Sequence, residues 1–225
     1  MGVGDAAAAA AAPVGDADSA VTECVKSILF GYANSSKTLP GLIAALDFDG
    51  AARDMVLSCY DRVVRAEGGR SASTAPGLAL GVLATGIIHF ILTKSLIRSQ
   101  RAICHGGSEL DVVIPDAKTL DADPGNALVI CVAKTMDRSA LHRRLAGIAR
   151  VQPVQENVWL VVPESIHSGG GTGIRGASES IPVGAPREFV ISEDGGSFAG
   201  AMFSEIIRFA GRSSGSHGKL RILGI

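Results

Sequence analysis

The sequence predicts an α/β fold preceded by a helical segment, on three observations. Apolar residues recur at helical spacing between residues 19 and 67. Ala127–Ala133 is an almost wholly apolar run, as a strand buried on both faces requires. Residues 109–114 alternate with period two. Hydrophobic residues make up 47% of the 225, enough to fill a sizeable core. Residues 1–18, with seven consecutive alanines, read as a disordered tail, 19–67 as a helical segment, and 77–225 as an α/β domain with its core at 77–163.

In the helical segment, Val21, Cys24, Val25, Ile28, Leu29 and Tyr32 form one stripe, with Ser19 as a cap, and the turn Asn34–Lys37 ends it. Met55, Val56, Cys59, Tyr60, Val63 and Val64 form a second stripe that stops at Gly68-Gly69. A long apolar helix is expected over 77–97, then a strand at 101–104, a turn at Gly106-Gly107 and a strand at 110–114. A polar loop, Pro115–Asn126, leads to the apolar strand. Asp137 then caps a helix carrying Leu141, Leu145 and Ile148. Strands are expected at 158–162, 188–192 and 219–225. A Gly/Ser-rich loop spans 168–180, and a helix runs from Ser197 to Gly211.

Composition narrows the function. Aromatics are 4%, too few for a binder that relies on stacking bases, and the net charge of -1 supplies no global basic field. Nucleic-acid contact would have to come from a local patch. Cys24, Cys59, Cys104 and Cys131 form no CxxC pair and read as buried free thiols of a reducing, cytoplasmic compartment. Ser71–Thr93 has no charged residue, but its strongly apolar part is short and diluted by Gly77, Gly81, Thr85, Gly86 and His89. A core helix fits this better than a membrane span.

The text from Arg101 to Ile114, RAICHGGSELDVVI, followed by NALVICVAKT from Asn126 to Thr135, resembles the PD-(D/E)xK, or restriction-endonuclease-like, nuclease superfamily. The resemblance implies an αβββαβ core over 77–163, with the N-terminal helices and a C-terminal strand-helix-strand extension outside it. It also implies metal-dependent phosphodiester hydrolysis. Asp111 and Glu109 would hold Mg²⁺, Asp116 would be a further candidate ligand, and Lys134 would assist the attacking water. Strand parity puts Glu109 and Asp111 on one face, and Leu128, Ile130, Val132 and Lys134 on one face of the next strand. Two departures from the pattern stand out. The acid expected two residues before Lys134 is Val132, and residues 77–100 contain no acid. A catalytically inactive member that only binds nucleic acid therefore stands beside an active Mg²⁺ endonuclease.

The cations Lys94, Arg98 and Arg101, with Arg138, Arg143 and Arg144 on the 138–150 helix, are the expected phosphate contacts. Gly169–Gly173 lacks the Lys-Ser/Thr of a phosphate loop, and the five histidines form no ligand pair. Nucleic acid is the expected partner and a membrane is not; a homodimer is open. A non-enzymatic Rossmann-like ligand-sensing or scaffold module is the alternative. It requires uniformly parallel strands, whereas the nuclease-like reading requires an antiparallel hairpin feeding the apolar strand.

Overall fold

The structure, a computed structural model, describes residues 14–68, 77–135, 137–164 and 186–214. The expected Gly/Ser-rich loop at 168–180 and the expected strand at 219–225 lie outside them. Helices α1 (Val14–Ser35), α2 (Leu39–Ala44), α3 (Phe48–Gly68) and α4 (Gly77–Lys94) come first. Strands β1 (Gln100–His105) and β2 (Ser108–Ile114) follow, then α5 (Ala117–Ala122) and a 3-10 turn, then β3 (Leu128–Val132). After these come α6 (Arg138–Val151), β4 (Val158–Pro163), β5 (Arg187–Ile191), α7 (Gly196–Gly200) and α8 (Met202–Ser214).

The strands form one sheet in the order β1-β2-β3-β4-β5. β1, β2 and β3 pair antiparallel, while β3, β4 and β5 pair parallel. The fold is therefore mixed α/β, with an antiparallel hairpin feeding the apolar strand. Uniformly parallel pairing, which the Rossmann-like alternative needs, is absent among the described strands. Gly106 and Gly107, at φ 54° and 75°, make the two-residue turn of that hairpin, where both central residues need positive φ.

The sheet separates two apolar layers. On one face Val112, Ile114, Leu128, Ile130, Val132, Trp159 and Val161 pack with residues of α1, α3, α4, α7 and α8. On the other, Leu110, Val113, Val129, Cys131, Leu160 and Val162 pack with Leu141 and Ile148 of α6 and Leu120 of α5. β3 and β4 are buried at every position, which is why both read as continuous apolar runs. The N-terminal helices thus complete a face of the sheet. α4 is long and apolar enough to cross a membrane by length and composition. It buries Leu80, Leu83, Ile87, Ile88, Ile91 and Leu92 in the core layer.

Several local features depart from expectation. α1 begins at Val14, inside the stretch expected to be a tail. The loop expected at 115–126 contains α5, whose N-terminus is capped by Asp116. The single helix expected from Ser197 is two helices parted at Ala201. Asp49 of α3 accepts from the Phe203 N–H at 2.9 Å, giving α8 its own N-terminal partner, and α8 runs past Gly211. Cys104 is exposed and Cys24 half-buried, so only Cys59 and Cys131 are buried thiols.

Candidate functional site

The site forms where β2 and β3 part. Their ladder runs from Ile114↔Leu128 to Val112↔Ile130 and stops there. In β2, Val112 and Ile114 face one core layer, while Leu110 and Val113 face the other. Strict alternation would keep Leu110 with Val112, so the strand slips by one face at Asp111. Ala102, flanked by the pairs Arg101↔Val112 and Ile103↔Leu110, sits opposite this slip at φ 48°. The Asp111 carboxylate enters the gap, and its Oδ2 accepts from the Val132 N–H at 2.7 Å. A side chain thereby satisfies a backbone donor that the ended ladder leaves open.

Two cations close on this carboxylate, whose side chain is 2% exposed. Lys134 Nζ donates to Oδ1 at 2.7 Å. Arg144, reaching in from α6, donates to Oδ2 at 2.7 Å and to the Val132 carbonyl at 3.0 Å, with a longer contact of 3.4 Å to the Glu109 carbonyl. Burial opposes the charge on Arg144. Cys131, Asp111 and Glu109 around it outweigh burial and hold its pKa above the usual value. Lys134 is placed by α4: a Cβ on Gly81 would lie 2.6 Å from the Ala133 carbonyl oxygen and 2.9 Å from Lys134 Cγ. Only glycine lets the helix pass so close to the end of β3.

Neither of the other expected ligands completes a metal site with Asp111 among the described residues. Glu109 is exposed, because the slip at Asp111 breaks the shared face that strict period two predicts. Asp116 Oδ1 accepts from the N–H and hydroxyl of Thr119, at 2.8 and 2.9 Å, and its Oδ2 pairs with Arg98 at 2.8 Å. The Thr119 N–H foremost, with the Thr119 hydroxyl and Arg98, outweighs burial and holds its pKa low. Asp116 is thus a helix cap. No group of three His, Cys, Asp or Glu able to hold a metal ion occurs among the described residues. Magnesium takes oxygen donors. Here one carboxylate has both oxygens engaged by cations, and the second acid position is the buried Val132. The residues present do not fit a Mg²⁺ centre.

The expected phosphate contacts fall into four groups. Lys94 and Arg101 line a trough between α1 and α4, and Arg98 is paired with Asp116. Arg138 and Arg143 are exposed on α6, whereas Arg144 faces inward to Asp111. The inward turn was legible: Arg144 lies three residues after Leu141 and four before Ile148, on the inner face of the helix. Gly81 and the Val132 N–H carry no such signal, since their roles arise only from packing.

No protein-family model and no curated protein matches the chain. Among solved structures, it is similar to the complex of restriction endonuclease PspGI with substrate DNA. The two are 15% identical over 85% of this chain and 93% of that one, with a TM-score of 0.45. A likeness at that level transfers no residue role.

Proposed function

We propose that this chain is a divergent member of the PD-(D/E)xK superfamily that binds nucleic acid and does not cut it. What supports this reading is how α6 divides its basic residues. Arg144 turns inward and occupies the carboxylate that a nuclease would use for its metal. Arg138, His142, Arg143 and Arg150 are exposed, and no acid follows Asp137 along the helix. A protein of net charge -1 with one basic helix face has the local patch that phosphate contact needs. Lys134, 34% exposed beside Arg144, continues the positive charge to the end of the sheet.

The test is fluorescence anisotropy with labelled duplex DNA, single-stranded DNA and an RNA hairpin across a salt series. Binding should weaken steeply with salt. Arg143→Ala and Arg150→Ala should each weaken every ligand about uniformly and reduce the salt slope by about 1. Absence of binding at low salt, or variants identical to wild type, would contradict the reading.

A second reading, metal-dependent hydrolysis, draws on the convergence of Asp111 and Lys134, distant in sequence, at one end of the sheet, and it requires the Lys134 and Arg144 pairs on Asp111 to open. Incubation of the same nucleic acids with Mg²⁺ or Mn²⁺ separates the two. Cleavage lost in both Asp111→Ala and Lys134→Ala, with folding intact, would establish it over the first.

A further inference from the structure

On the sheet face away from α6, helices α1 and α4 leave a trough of about 490 Å³ between them. That volume is typical of a small-molecule site. Its walls are apolar, formed by Leu29, Phe30, Val82 and Phe90, and no carboxylate lines it among the described residues. Phe30, 62% exposed, is one of the most exposed large apolar residues of the protein.

One end of the trough is cationic. Arg101 is fixed by donating to the His89 carbonyl at 3.0 Å and to the Thr93 hydroxyl at 2.6 Å, and it has no carboxylate partner among the described residues. Lys94 lies 5.5 Å from the centre of the Phe90 ring, also without a carboxylate partner there. Lys134 lines the same end with its charge shared with Asp111, while Lys26 on α1 is paired with Glu23. His89 adds an independent observation. Its Nε2 is buried with no hydrogen-bond partner, and burial, together with Arg101 and Lys134, lowers its pKa to about 4. A neutral, buried ring nitrogen without a partner beside Arg101 leaves the cationic end of the trough incompletely satisfied.

We propose that this trough binds a free single-chain aliphatic carboxylate, with its tail between α1 and α4 and its carboxylate on Arg101 and Lys94. The apolar walls match an alkyl tail, and the cations match an anionic head and disfavour a cationic one. The site lies in the layer opposite α6 and goes beyond the nucleic-acid reading; the two have Lys134 in common, but the variants that test each lie on different elements.

The experiment is calorimetric titration of the full chain with dodecanoate below its micellar range, beside dodecanol and dodecyltrimethylammonium. Dodecanoate should bind one to one, and the alcohol and the cation at least tenfold more weakly. Arg101→Leu should weaken dodecanoate about tenfold or more, the scale of a charge-assisted hydrogen bond. Val82→Trp should fill the trough and abolish binding. Phe30→Glu, at an exposed position, should abolish it by charge without disturbing the core. Absence of saturable binding would overturn the proposal. So would equal affinity for the cationic analogue, or unchanged binding in a folded Phe30→Glu variant.

Discussion

Asp111 accepts a hydrogen bond from the backbone N–H of Val132 at the point where β2 and β3 separate, so a carboxylate stands in for the ladder partner that strand pairing would supply. With Lys134 and Arg144 it makes a triad of one negative and two positive groups, and its removal strands two cations and a backbone donor. Complete burial would put the loss near the top of the range for a broken ion pair. Lys134 and Arg144 are 34% and 23% exposed, so partial solvation reduces it. Asp111→Ala should destabilise by about 2–4 kcal/mol in urea unfolding. Combined with Arg144→Met, it should cost less than the sum of the two single changes, because the partners share one interaction.

Gly81 governs the other end of the same contact. A methyl group there meets the Ala133 carbonyl oxygen at 2.6 Å, and a backbone atom cannot swing aside. Gly81→Ala should destabilise by about 1–3 kcal/mol, the usual range for overpacking, despite alanine's better helix propensity. Gly86→Ala on the same helix is the control. Its nearest neighbour is the flexible end of Leu29, at 2.6 Å, and its effect should be smaller.

These contacts show what the sequence made legible. The Gly106-Gly107 turn, the apolar β3 run and the Asp137 cap are local signals, and the strands and helix they predict are present. The convergence of Lys134 on Asp111 followed from strand parity together with the resemblance. Parity failed for Glu109 because β2 slips at Asp111, opposite the positive φ of Ala102, and backbone irregularity has no periodic signature. α5 went unread inside a polar loop, although Asp116, three residues before Thr119, carries the N-cap pattern.

His89 makes stability depend on pH. Its pKa is about 4 in the folded chain against an ordinary 6.5, with burial the main cause. Between those values the unfolded chain binds the proton and the folded one does not, so acid favours unfolding. Stability should be highest above pH 6.5 and fall as pH drops toward 4. His89→Gln, neutral throughout, should flatten that part of the urea midpoint against pH curve.

The cysteines should react in two classes. Burial raises Cys59 to about 11 and Cys131 to about 12, so neither supplies thiolate near neutral pH. Cys104 is exposed and Cys24 half-buried. A thiol-exchange reagent should modify Cys104 first and Cys24 more slowly, and should reach the other two only after denaturation. Mass mapping of the modified peptides checks the order.

Binding without cleavage requires that the charge of Asp111 be already committed to Lys134 and Arg144. Calorimetric titration with Mn²⁺, a surrogate for Mg²⁺ at oxygen-donor sites, tests this directly on wild type beside Asp111→Asn. The expected result is no stoichiometric binding that depends on Asp111, with the two proteins giving the same weak, unsaturated heats. A one-to-one site present in wild type and lost in Asp111→Asn would contradict the account.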